Sequence, residues 1–326
     1  MSLWLLVVGL GLTAMPALLR RVGRRSTDPA TWLRCCQRSL IAAVVAIELG
    51  LVMTAAPTVF RALGVNSLAE SCARFFDPLQ PGGAVVAWLA AGLASYVPAA
   101  AMFGLRRAVT DQRRARIDAT VGSHRTVSGV DVAIVPVGAV LAYSVDVDEP
   151  QIVLSTGMLD SLRPDEVDLV LGHELAHLHY GHGRTLRLLS AARAALGPLT
   201  AAADSEIRLA IERVADEAVT GVDDTRRREF SEALLRSTGL RRPPVAALSP
   251  ADTLAERVGA LERRPRRSSV PSRLAMQAPF NMLTVVAAML AITWMTDVGG
   301  VVVAAGRCPI LRSLGVARTL LPGMPA

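Results

Sequence analysis

The stretch GHELAHLHYGH, Gly172–His182, decides the fold, and it holds four of the five histidines in the chain. Inside it, His173, Glu174 and His177 form H-E-x-x-H. On a helix, residues i and i+4 share a face, so two imidazoles can ligate one Zn²⁺ from adjacent turns. The intervening Glu174 can then act as general base on water. The flanking residues predict that helix. Pro164 suits its first position, and Asp165, Glu166 and Asp168 put negative charge in its first turns. Val167, Val170, Leu171, Leu175 and Leu178 supply apolar surface, while Arg163 is a poor N-cap.

A catalytic zinc needs a third protein ligand and an open position. The metzincin pattern would take Gly three residues and His six residues after the second zinc histidine, but Tyr180 and Gly183 stand there. His179 and His182 are therefore read as neighbours of the site or as surface residues. A better third ligand lies in EIRLAIERVADEAVTG, residues 206–221, where apolar residues recur at helical spacing. Glu212 and Asp216 are i and i+4 and share a face. Glu212 can ligate zinc, and Asp216 can accept a hydrogen bond from a ligand imidazole and fix its tautomer.

Outward from this region the chain becomes apolar. Of 326 residues, 52% are hydrophobic and 19% charged, which argues against a wholly soluble protein and excludes global disorder. Three stretches are long enough to span a bilayer, about 2–19, 39–60 and 83–105, and a fourth, 280–305, spans with tilt or with Asp297 at the interface. The arginines after the first stretch (Arg20, Arg21, Arg24, Arg25) suit a retained anchor rather than a cleaved signal. All 35 basic residues are Arg, giving a net charge of +7. With 4% aromatics and no recognisable nucleic-acid motif, that charge reads as membrane flanks, and no direct nucleic-acid partner is expected. The Arg-rich segments 20–38 and 106–279 are placed in the cytoplasm, and both termini outside. Cys72 and Cys308 then lie on the same outer side, where a disulfide can form, and Cys35 and Cys36 in the reducing cytosol.

The expected architecture is a mainly α integral membrane protein. About four transmembrane helices carry a cytoplasmic α+β zinc-protease domain with a small strand region before the H-E-x-x-H helix. Residues 1–105 form the three-span membrane region, 106–279 the catalytic domain, 280–305 the fourth span and 306–326 a short extracytoplasmic tail. Within the domain, 106–119 reads as a polar helix leaving the membrane. Residues 129–145 read as two short strands around Pro136–Gly138, and 151–155 as another. After Pro164 the pattern is helical to about Leu240. Arg257–Arg273, with six Arg, reads as a juxtamembrane basic stretch near anionic headgroups.

These motifs resemble integral-membrane gluzincin peptidases. The E-x-x-x-D of Glu212–Asp216 is similar to the second motif of the HtpX-like and CAAX-prenyl-protease group. AYSVDVDEPQIVLSTGMLDSLRPDEVDLVLGHELAH, Ala142–His177, more closely resembles the Bla/Mec antibiotic-sensor peptidases. The likeness covers about residues 125–220 and the arrangement of spans. It implies a cytoplasm-facing site with one zinc per chain, held by His173, His177 and Glu212, with Glu174 as base. It also implies peptide-bond hydrolysis in a protein substrate, a transcription repressor or a membrane protein. Antibiotic sensors end in an extracellular penicillin-binding domain; only residues 306–326 follow the last stretch here, so direct β-lactam sensing is not expected. Membrane-protein quality control of HtpX type, and a zinc-binding signalling receptor with little turnover, are the alternatives. Glu48, an intramembrane acid, leaves a channel or transporter as a third. Tyr143 and Arg213 are candidates for an oxyanion donor, and Ala139–Val145 for an edge that pairs with an extended substrate.

Overall fold

The computed structural model describes residues 2–26, 28–66, 69, 83–120, 122–237 and 251–263, with single helical positions at 277, 278, 281, 285 and 289. The fourth apolar stretch, the tail after it, and both Cys72 and Cys308 therefore fall outside the described residues, apart from those positions. Two compact units emerge. One comprises Met1–Leu12, Ile41–Pro98 and Ala278–Ala326; the other comprises Thr13–Leu40 and Ala99–Gln277.

Three helices are long and apolar enough to cross a membrane: α1 (Ser2–Ser26), α2 (Pro29–Ala62) and α3 (Gly83–Thr120). Pro16, Pro57 and Pro98 lie inside them, which spanning helices tolerate. Within the first unit, Gly9 lets α1 approach α2 closely, because a Cβ there would lie 2.6 Å from Ile47. The expected polar helix at 106–119 is present as the uninterrupted continuation of α3.

The second unit contains a four-stranded sheet, β1 (Ser123–Val127), β2 (Val130–Val135), β3 (Ala142–Val145) and β4 (Gln151–Ser155), in the order β1-β2-β4-β3. Strands β2 to β4 match the sequence reading, while β1 was not anticipated. Its residues are mostly exposed, so no buried alternation marks it. The signal was the turn, where Ser128 (φ 51°) and Gly129 (φ 81°) make the two-residue loop that suits a twisted hairpin. β2 runs parallel to β4, and β3 antiparallel to β4.

The sheet is followed by α4 (Thr156–Ser161), α5 (Pro164–His179), α6 (His182–Leu196), a 3-10 turn (Gly197–Thr200), α7 (Ala201–Thr220), α8 (Asp224–Ser237) and α9 (Ala251–Leu261). Val132, Ile134, Ile152 and Leu154 of the sheet bury against Met158, Leu162, Val167 and Leu171, which lays α5 across one face. On the other face Tyr143 and Val145 meet Val109 and Ala115 of α3. β3 is thus held between α5 and the polar end of α3, with its alternate side chains facing each. Gly104 of α3 sits against α6, where a Cβ would lie 2.7 Å from the Ser190 carbonyl oxygen.

The expected basic stretch at the membrane surface, 257–273, is corrected at its first residue; residues 264–273 lie outside the described residues. Arg257 instead sits on α9 and is 1% exposed. Ala251–Leu261 is amphipathic, and Leu254 and Leu261 pack with Leu169, Val219, Phe230 and Leu234. An apolar helix face outweighed the raw Arg count.

Candidate metal centre

α5 starts as its sequence requires. Pro164 stands in the first turn, and Glu166 accepts the Arg163 backbone N–H at 2.9 Å. That bond satisfies the Arg163 amide, the half of a capping box that an arginine N-cap leaves possible. Glu166 is buried and also meets Arg236 of α8. α5 runs along α7, so the face bearing His173 and His177 meets the face bearing Glu212 and Asp216.

Those residues converge. His173 Nε2 lies 3.0 Å from His177 Nε2 and 3.4 Å from Glu212 Oε2. His177 Nε2 lies 3.9 Å from Glu212 Oε1. One donor atom from each of the three residues falls within 4.8 Å of the others, so the group could hold a metal ion. Two imidazoles and a carboxylate are a donor set that suits zinc. Asp216 Oδ1 faces His173 Nδ1 at 3.1 Å, on the side away from Glu212. Phe230 of α8 closes on the His173 ring, with centroids 5.6 Å apart.

Glu174 lies beside the pair and is 8% exposed. Burial pushes its carboxyl pKa up, against the nearby His173 and a hydrogen bond with Ser144. Ser144 comes from β3, so the edge strand reaches the same place.

The charges are strongly coupled. Burial disfavours an imidazolium at His173, but Asp216 and Glu212 outweigh it and raise its pKa to about 9. Burial lowers His177 to about 4. A protonated His173 can thus donate to neutral His177 through the two Nε2 atoms. Burial also opposes charge on Glu212 and Asp216, yet Arg257 and His173 hold both carboxyls below their ordinary range.

Sequence reasoning missed Arg257. Its Nε and Nη2 donate to Asp216 Oδ2 at 2.9 Å and Oδ1 at 2.6 Å, and its Nη1 meets Glu212 Oε2 at 2.9 Å. The Ala251–Leu261 pattern, apolar with a single Arg among its apolar positions, was the available signal. The two remaining histidines of the run part company. His179 is exposed, against Tyr180. His182 is 1% exposed, with Nδ1 3.0 Å from His177 Nδ1. Gly181, at φ 63°, turns the chain between α5 and α6 and brings His182 there. Burial lowers His182 to about 3, so it faces His177 as a neutral ring. The two oxyanion candidates are engaged elsewhere. The Tyr143 hydroxyl donates to the Ala115 carbonyl at 3.3 Å, and Arg213 sits among the charges of Glu217, Glu256 and Arg263.

The family described as BlaR1 peptidase M56 matches residues 85–264, more than half of the chain. Neither a curated protein nor a solved structure gave a significant match. The matched segment holds all but the first two residues of α3, the sheet, the cluster of His173, His177 and Glu212, and α9. The chain belongs to the BlaR1 peptidase family, and is a membrane-associated metallopeptidase.

Proposed function

We propose that the chain is a zinc endopeptidase that hydrolyses peptide bonds in an extended polypeptide at the cytoplasmic face of the membrane. One observation carries this reading: His173, His177 and Glu212 offer three converging donors, with the buried Glu174 carboxyl on the same helix. His173, His177 and Glu212 would hold a zinc ion, which would supply Lewis acidity to the scissile carbonyl and to water.

The protein's own groups do the rest. Asp216 faces His173 Nδ1, so the proton sits on that nitrogen and the lone pair on Nε2. His182 does the same for His177 through the two Nδ1 atoms. His173 gives up its extra proton before Nε2 can ligate. Glu174 takes a proton from the attacking water and returns it to the leaving amine. Burial raises its proton affinity, which suits a group that must hold that proton briefly.

Strand β3 suits the substrate. Ser155 N–H donates to the Leu141 carbonyl at 2.9 Å. Antiparallel bonds alternate, so Tyr143 and Val145 bond inward to β4. The main-chain groups of Ala142 and Ser144 then face away from β4, at the edge of the sheet among the described residues. A polypeptide added there passes beside Glu174, as strand addition requires. The Arg-rich flanks favour termini outside and residues 106–279 inside the cell. A cytoplasmic transcription repressor is the substrate we expect.

The test compares protein N-termini in cells expressing wild type and Glu174→Gln. New N-termini that require Glu174 support the reading, and their sequences name the substrate. A cleaved repressor supports the signalling branch; cleaved membrane proteins favour quality control instead. Identical N-termini under every stimulus tried would contradict a peptidase.

A further inference from the structure

Arg257 is the group whose burial most needs a reason. A guanidinium at 1% exposure is costly unless its donors are paired. Here three nitrogens are paired with two carboxylates. Nε and Nη2 grip Asp216 as a fork, and Nη1 takes Glu212 Oε2. The other Glu212 oxygen, Oε1, is the one turned to His177. Asp216 Oδ1, held by Nη2 at 2.6 Å, is the oxygen that faces His173 Nδ1. One guanidinium therefore orients both carboxylates, and through them one imidazole.

This pairing is not needed merely to fasten α9. Arg227 of α8 already does that: it donates to the carbonyls of Leu261 (2.9 Å), Ala260 (2.8 Å) and Arg263 (2.9 Å), while also holding Gly221 (3.0 Å) at the end of α7. Leu254 and Leu261 add apolar contacts. Anchoring and orientation are assigned to different arginines.

We infer that Arg257 is a positioning residue for the proposed metal centre: its fork fixes Asp216 against His173, and its Nη1 fixes Glu212 with Oε1 toward His177, before any metal arrives. The inference rests on the ligand set proposed above. It predicts that Lys, which has the charge but no planar fork, cannot replace Arg257.

The experiment uses full-length protein in detergent, stripped of metal and titrated with Co²⁺ against a competing chelator. The visible absorption of bound Co²⁺ reports its coordination. Arg257→Lys and Arg257→Met should each weaken Co²⁺ binding about 10–100-fold and alter the visible bands. Arg227→Met, which loosens the anchor of α9, should lower the melting temperature yet keep wild-type Co²⁺ affinity and bands. If Arg257→Met does not fold, Arg257→Lys decides. Wild-type binding and spectrum in Arg257→Lys would overturn the inference while leaving the ligand set intact. So would a loss in Arg227→Met equal to that in Arg257→Lys. Absence of Co²⁺ binding to wild type would remove the ligand set itself, and this inference with it.

Discussion

Helices α5 and α9 deliver charged side chains to one buried cluster by opposite routes. α5 carries His173, Glu174 and His177 within five consecutive residues. Their arrangement follows from helical geometry alone. α9 carries a single contributor, Arg257, and only tertiary packing brings it against Glu212 and Asp216 on α7. The contrast teaches that ligand spacing is local and can be read along the chain. The counter-charge that lets two buried acids lie side by side is non-local.

The sharpest break between the two helices is functional. Glu174→Gln, on α5, should cut peptide hydrolysis by roughly 10²–10⁴-fold, the usual worth of a positioned acid–base group. It should leave metal content and melting temperature near wild type. Purified-protein cleavage assays with metal analysis check this, and a variant that loses its metal would put Glu174 in a different role.

On the α8–α9 side the first loss should be stability. Phe230 is 1% exposed, packs with Leu169, Leu234 and Leu261, and covers the His173 ring. Phe230→Ala should cost about 3–5 kcal/mol, lost burial and the cavity together. Denaturant titration of the full chain measures it; an unchanged midpoint would mean that α9 is not docked as described.

Proton competition sharpens the contrast within α5 itself. His173, raised to about 9 by the carboxylates after opposing burial, is protonated in the metal-free protein at neutral pH. His177, lowered to about 4, is not. Metal binding must therefore displace about one proton. Affinity should strengthen as pH rises toward 9, by about tenfold per unit. Calorimetry in buffers of different ionisation enthalpy counts the proton. A flat affinity between pH 6.5 and 8.5 would contradict the charge assignment.

The smallest expected effect belongs to His182. Its ring meets His177 Nδ1 at 3.0 Å but touches neither Glu212 nor Asp216 in any described contact. His182→Ala should weaken metal binding about tenfold, while His179→Ala, at an exposed position, should change nothing measurable. Equal losses in both would point to a general effect on the α5–α6 turn.

Much of the fold was legible because its signals were periodic. The apolar runs of α1 to α3, the α5 motif with its Pro164 start, and the α7 stripe all declare themselves within single turns. Strands β2 to β4 were visible as short apolar runs bounded by turn residues. β1 escaped because its side chains are mostly exposed, and only the Ser128–Gly129 turn marked it. The placement of Glu212 and Asp216 opposite His173 agrees with their i, i+4 spacing. Arg257 escaped because an Arg among many others reads as solvated charge. The Ala251–Leu261 pattern marks a buried face, but no spacing says that α9 packs on α7 and brings Arg257 to its two acids.

The most direct measurement is elemental analysis of the purified full-length chain. One zinc per chain is expected for wild type and for Glu174→Gln, with zinc lost from His177→Ala and from Glu212→Gln. Zinc retained at wild-type content in Glu212→Gln and His177→Ala, with both proteins folded, would contradict the proposed centre.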